Sequence, residues 1–220
     1  MTSEITKICL ICMDRTGSNM ISSRLNTHSN IVFYNEIFHR QYIIFHDDRV
    51  SGNDQLVARR DRSPAAFVSS IWNGEFEPKE QRERIHGIGF KLFLNHSAEA
   101  LRHVINSDAK IVFLRRRNAL ARFSSFKIAA VTGEWKSIGS VGKKPVKVNF
   151  RPEEFRAYMQ NYLSLETLFE MTLLRWNRSY FDASYEDVTS HPVAWANMTT
   201  YLGFDPKDFS ESLLVKQNAS

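Results

Sequence analysis

The segment Lys7–Met13, KICLICM, constrains the fold of this chain more than any other, because after Lys7 it contains only apolar residues. Both alternating faces of such a strand must be covered, as in the interior of a parallel sheet with helices on either side. The run stops at Asp14. A polar turn, Arg15-Thr16-Gly17-Ser18, leads into Asn19–Leu25, which predicts a helix. Further apolar strands are predicted at Ile31–Tyr34, Gly87–Leu94 (GIGFKLFL), Lys110–Leu114 (KIVFL) and Phe181–Tyr185. Helices are predicted from Pro64, after an N-capping Ser63, to Trp72, and after the GIGFKLFL strand to about Asn106. Others are predicted over Asn118–Val131, over Glu153–Asn177, and from Pro192 to Gly203. In the long helix Phe155, Met159, Tyr162, Leu163 and Leu165 fall near one side, and Tyr158, Tyr162, Phe169 and Trp176 are expected in the core. Alternating strands and helices predict an α/β fold: a central, mainly parallel sheet flanked by helices. Asp47–Arg62, rich in charge, reads as an exposed, mobile connection. Thr132–Lys147, with its glycines and lysines, reads as a flexible basic loop near a ligand.

Composition narrows the class. The 220 residues are 43% apolar and 24% charged, which excludes disordered, collagen-like and coiled-coil chains and fits one domain spanning 1–220. A net charge of +5 favours an anionic ligand or surface but is too mild to point to nucleic acid. No apolar run approaches the ~18–20 residues of a transmembrane helix. The start, MTSEITK, lacks the basic lead of a signal peptide, and two cysteines cannot build a disulfide framework. The expectation is a cytoplasmic protein. Cys9 and Cys12 have C-x-x-C spacing inside a strand, which points their side chains to opposite faces and makes them core thiols rather than a redox or zinc pair.

Two turns carry chemistry. In the first, strand–DRTGS–helix, backbone N–H groups converge at a helix N-terminus. Gly17 permits close approach, Ser18 adds a hydroxyl and Arg15 a planar cation. That suits a phosphate or sulfate, and equally an ordinary turn with a solvated arginine. A Walker-type kinase is disfavoured, since GxxxxGK[ST] is absent. In the second turn, Arg115-Arg116-Arg117 ends a strand and a helix bearing Ser124 and Ser125 follows. Three adjacent guanidinium groups are costly unless an anion neutralises them, although a solvated basic helix start is the alternative. Two anion sites at neighbouring strand ends suggest one ligand with two separated anionic groups, such as a nucleotide phosphorylated at both ends of its ribose.

Here the chain resembles the sulfotransferase family. ICMDRTGSNM looks like the loop that holds the 5′-phosphosulfate, and KIVFLRRRNALARFSSFKIA looks like the 3′-phosphate motif, matching Arg116 and Ser124. Gly89-Phe90-Lys91, Trp135 and Tyr185-Glu186-Asp187 extend the likeness over residues 7–204. It is closest to a bacterial carbohydrate branch that includes trehalose, nodulation-factor and lipopolysaccharide-type sulfotransferases. The resemblance implies a P-loop-nucleotide-kinase-like sulfotransferase fold, 3′-phosphoadenosine-5′-phosphosulfate as donor, no metal, and in-line sulfuryl transfer to a hydroxyl of a carbohydrate or glycolipid. It assigns Arg15, Thr16, Gly17, Ser18 and Asn19 to the 5′ end, and Arg116, Ser124, Tyr185 and Lys216 to the rest of the donor site. Arg15 also serves the chemistry, and Glu36 is implied as the base, with a carboxyl raised by the dianionic donor. Lys91, His96 and Trp135 fall on the acceptor side. Lys91 could equally be a snorkelling strand lysine, and Trp72 could stack on a ring in place of Trp135. Where animal cytosolic members carry a histidine base, this register gives Phe93; His96, His39 and His46 are the other candidates. The short C-terminus leaves Lys216 as the one obvious cation there. Peripheral membrane contact and a homodimer are both compatible with the sequence. A non-catalytic polyanion-binding module and a P-loop-like kinase are the competing readings.

Overall fold

The computed structural model describes residues 4–46, 50–135 and 146–210. In chain order the elements begin with β1 (Thr6–Cys12), α1 (Ser18–Leu25), β2 (Ile31–Glu36), β3 (Ile43–Ile44), β4 (Val50–Ser51), α2 (Asp54–Arg62), α3 (Pro64–Trp72) and α4 (Lys79–Arg82). They continue with β5 (Gly87–Phe93), α5 (Ala98–Asn106), β6 (Lys110–Arg115), α6 (Ala119–Thr132), α7 (Pro152–Arg175), β7 (Phe181–Ser184), α8 (Tyr185–Ser190) and α9 (Pro192–Leu202). β2-β5-β1-β6-β7 form a five-stranded sheet whose pairings are all parallel, and β3 and β4 pair as a short antiparallel ribbon.

The strand predicted from KICLICM lies at the centre of this sheet and separates two cores. Cys9 and Ile11 face one, with Ile88, Phe90, Ile111 and Phe113 and residues of α3, α5 and α7. Ile8, Leu10 and Cys12 face the other, with Ile21, Leu25, Trp195 and Met198. The two cysteines therefore lie on opposite faces. Burial pushes the Cys12 thiol up to about 12 and the Cys9 thiol well above its ordinary range, so both stay protonated.

Several expectations are corrected. Residues 54–62, though mostly exposed as expected, form helix α2 rather than an irregular connection, with Asn53 capping it by accepting from the Gln55 and Leu56 amides; residues 47–49 of the expected connection lie outside the described residues. Arg60 of α2 is only 2% exposed. Ser63 precedes α3, but its side chain makes no capping bond. On α7 the buried residues are Tyr162, Glu166, Phe169 and Leu173, while Leu163 and Trp176 are exposed. Tyr185 opens helix α8 instead of ending a strand. Residues 136–145 of the predicted basic loop, and Lys216, lie outside the described residues.

Parallel strands bring their carboxyl ends to one edge, the usual ligand edge of such sheets. Met13–Gly17 follows β1, Glu36 ends β2, Lys91 lies near the end of β5, Arg116 follows β6 and Tyr185 follows β7. Between β2 and β5 the register shifts: Tyr34 faces Phe90 but Glu36, not Asn35, faces Lys91. This bulge re-aims the strand end and sets the carboxylate opposite the ammonium.

At Gly89 the sheet is tightest. A Cβ there would stand 2.6 Å from the Phe33 ring and 2.8 Å from the Ile8 Cβ. Gly89→Ala is expected to lower unfolding free energy by about 1–3 kcal/mol through overpacking, measured by denaturant titration; undiminished stability would contradict the packing described.

Candidate active site

The β1–α1 turn is held by its own residues. Arg15 adopts a left-handed φ of 58° and Gly17 one of 85°. Thr16 is buried and its hydroxyl donates to the Met13 carbonyl at 2.9 Å, so that hydroxyl shapes the turn. None of the backbone N–H groups of Thr16 to Asn19 has a hydrogen-bond acceptor among the described residues. They are the free donors of a helix N-terminus. The Tyr185 ring lies against Gly17, 2.2 Å from where a Cβ would stand. Only glycine fits both this contact and the φ.

The Arg15 guanidinium turns towards α6. Its Nε and Nη2 donate to the Ser125 hydroxyl at 2.9 and 2.6 Å, and Nη1 donates to the Trp135 carbonyl at 2.8 Å. Burial pulls Arg15 below the ordinary arginine value; Asp14 works against this and Arg116 adds to it. Burial also lifts the Asp14 carboxyl, despite the nearby Arg122 and Arg15. Ser125 is buried, whereas Ser124, the expected serine, is half-buried and makes no hydrogen bond among the described residues.

The three consecutive arginines have separate fates. Arg115 pairs with Asp182 and Glu170. Arg117 binds Asp187 through both Nη atoms, at 2.7 and 2.6 Å. These carboxylates neutralise two of the guanidinium groups, so the expectation that an anion must balance all three is corrected. Arg116 differs. Its Nη1 donates to the Arg15 carbonyl at 3.1 Å, its guanidinium lies 4.9 Å from the Tyr185 ring centroid, and its buried Nε has no hydrogen-bond partner among the described residues. Glu186 accepts from the Arg117 and Asn118 amides and fixes the start of α6. The Tyr-Glu-Asp string thus serves both turns: its tyrosine covers Gly17 and Arg116, and its carboxylates anchor the arginine strand.

Across the edge, Lys91 is fully buried and does not snorkel. Its ammonium donates to the Glu36 carboxylate at 2.9 Å and to the Asn19 side-chain oxygen in α1. For Glu36 burial works upward, but Lys91 beside it, with His96 and His39, outweighs burial and holds the carboxyl below the usual value. The rise expected from sequence belonged to Glu36 beside a dianionic donor; in the protein alone the nearest charge is the Lys91 cation. His96 is held down to about 4 by burial, with Lys91, His39 and Arg60 adding to the effect against Glu36. It is neutral at physiological pH, and its buried Nδ1 has no partner among the described residues. His39 stacks on Tyr42 with ring centroids 5.3 Å apart. His46 belongs with Glu77 and Tyr34 instead. Trp72 is buried against Phe90 and His103, which removes it as a stacking platform, whereas Trp135 is 49% exposed.

The Lys91–Glu36 pair makes a prediction. With its folded value lowered, Glu36 contributes stability above its unfolded value, and this is lost as pH falls through the folded value. Lys91→Met should remove that loss on acidification, raise the Glu36 titration and cost about 3–5 kcal/mol at neutral pH. Denaturant unfolding across pH checks it; an unchanged acid limb would contradict the pairing.

No protein-family model matches the chain, and no curated protein matches it. Among solved structures it is similar to the sulfotransferase domain from the Synechococcus PCC 7002 olefin synthase, at 16% identity and a TM-score of 0.52. The similarity covers 99% of this chain and 79% of that one. This likeness is one of fold: the parallel sheet with helices on both faces is the P-loop-like sulfotransferase fold.

Proposed function

We propose that this protein transfers a sulfuryl group from 3′-phosphoadenosine-5′-phosphosulfate to a hydroxyl of a carbohydrate or glycolipid. The observation that carries the reading is the contact of Arg116 Nη1 with the Arg15 carbonyl at 3.1 Å. It joins two turns from different strand ends into one cationic edge, as one nucleotide charged at both ends would require. The backbone N–H groups of Thr16 to Asn19, free donors among the described residues, and the Tyr185-lined cradle at Gly17 suit the 5′ end. The unpartnered Arg116 Nε suits the 3′-phosphate. Ser124 is proposed with Arg116 at the 3′-phosphate, Ser125 supports Arg15 at the 5′ end, and the Tyr185 ring, which lies against Gly17 and Arg116, would line the nucleotide.

In the reaction the acceptor oxygen bonds the sulfur while the bond from sulfur to the 5′-phosphate oxygen breaks in line. Glu36 takes the acceptor proton, and its ionised state supplies the base. Lys91 and Arg15 meet charge on the sulfuryl oxygens and the leaving phosphate. Neutral His96 and the exposed Trp135 are acceptor-side groups, open to hydrogen bonding and ring stacking. A polyanion-binding module is less favoured, because Arg115 and Arg117 are already neutralised by carboxylates. Among the described residues no helix is long and apolar enough to cross a membrane.

Arg116→Ala should weaken calorimetric binding of 3′-phosphoadenosine-5′-phosphate by about 2–3 kcal/mol and leave adenosine-5′-phosphate nearly unaffected. Equal losses would refute the 3′-phosphate assignment. Glu36→Gln should slow sulfate transfer from labelled donor into a sugar and glycolipid panel by about 10²–10⁴-fold at unchanged donor affinity. Full turnover in that variant would return the base to a histidine.

A further inference from the structure

We infer that Arg60 is a positioning residue for the proposed transfer, holding the turn that carries Glu36 and the His39–Tyr42 stack at the acceptor side of the site. The inference rests on the sulfuryl-transfer reading and extends it to a helix that contributes none of the donor-binding residues. Glu36 ends β2, and the chain leaves in a tight turn closed by the His39 amide donating to the Glu36 carbonyl at 3.2 Å. Beyond this turn the backbone has little regular structure to hold it before the two-residue β3. Arg60 supplies the hold. Its Nη1 donates to the carbonyls of Ile37, His39 and Tyr42 at 3.1, 2.8 and 2.8 Å, while its Nε is anchored by Asp61 at 2.8 Å.

A guanidinium that is 2% exposed is costly to bury, and here it is spent on three carbonyls within six residues of the proposed base. Two strand-end devices then converge on Glu36: Lys91 grips its carboxylate, and Arg60 fixes the backbone that follows. The same clamp orients His39, whose ring stacks on the 41%-exposed Tyr42 and lies within electrostatic reach of Glu36. Arg59, the preceding residue, is exposed and pairs with Glu75 on the surface.

The test compares Arg60→Gln and Arg60→Lys with Arg59→Gln. It reads His39 amide exchange, the Glu36 carboxyl titration by NMR, calorimetric binding of 3′-phosphoadenosine-5′-phosphate, and donor turnover with glucose as the hydroxyl probe. In folded Arg60→Gln, exchange at His39 should speed up and the Glu36 titration should move. Turnover should fall about tenfold to a hundredfold while nucleotide affinity changes less than about twofold. Arg60→Lys should recover part of the loss, and Arg59→Gln should match wild type. Unchanged exchange and titration in a folded Arg60 variant would overturn the role, as would nucleotide affinity falling in step with turnover. Unfolding of both Arg60 variants beside a folded Arg59→Gln would make the residue purely structural and also overturn it. If the wild type consumes no donor, the transfer reading fails, and the exchange and titration data still decide whether Arg60 sets the turn.

Discussion

A single ammonium group organises the working edge of this molecule. Lys91 has no access to solvent, yet it bonds an asparagine at the start of α1 and a carboxylate at the end of β2. A lone buried cation would be strongly destabilising, so the fold must bring those partners to it. The bulge at Asn35 does so by skipping one residue of β2. Replaced together by apolar side chains, Lys91 and Glu36 could pack as well, and a hydrophobic core would be no weaker for it, whereas removing Lys91 alone strands a largely buried carboxylate. Retention of Lys91 makes sense as a constraint on geometry: it fixes the helix beneath the donor turn and the proposed base in one frame.

The cationic edge is built so that little of its charge is left over. Arg115 and Arg117 spend theirs on Asp182, Glu170 and Asp187, and these pairs tie β6 to α7, β7 and α8. Arg15 is occupied by Ser125 and the Trp135 carbonyl. Among the described residues of this edge, Arg116 combines contact with the turn after β1 and a buried, unpartnered nitrogen. On the proposed reading this division would favour a ligand charged in two places, since neutralised neighbours attract anions less indiscriminately.

The central strands were legible in the sequence because their cover on both faces leaves an uninterrupted apolar run, and the two turns at their ends because they interrupt it with arginine, glycine and serine. The proposal of Glu36 as base rests on family likeness; nothing in its own stretch of sequence distinguishes it from a loop carboxylate. What could not be read depended on distant partners. Lys91 sits 55 residues from Glu36, and Arg117 sits 70 from Asp187, so neither pair leaves a local trace. Helix α2 was hidden by its charges, although Asn53 followed by Asp54 was a capping signal at its start. That Ser125 rather than its neighbour Ser124 meets Arg15 turned on a helical rotation of one residue, which spacing alone does not resolve.

The central claim is that one nucleotide spans the turn after β1 and the arginine after β6. A crystal structure with 3′-phosphoadenosine-5′-phosphate bound tests it most directly. The account predicts the 5′-phosphate on the amides of residues 16–19 and the 3′-phosphate on the Arg116 guanidinium. A nucleotide lodged elsewhere, or with its 3′-phosphate in solvent away from Arg116, would contradict it.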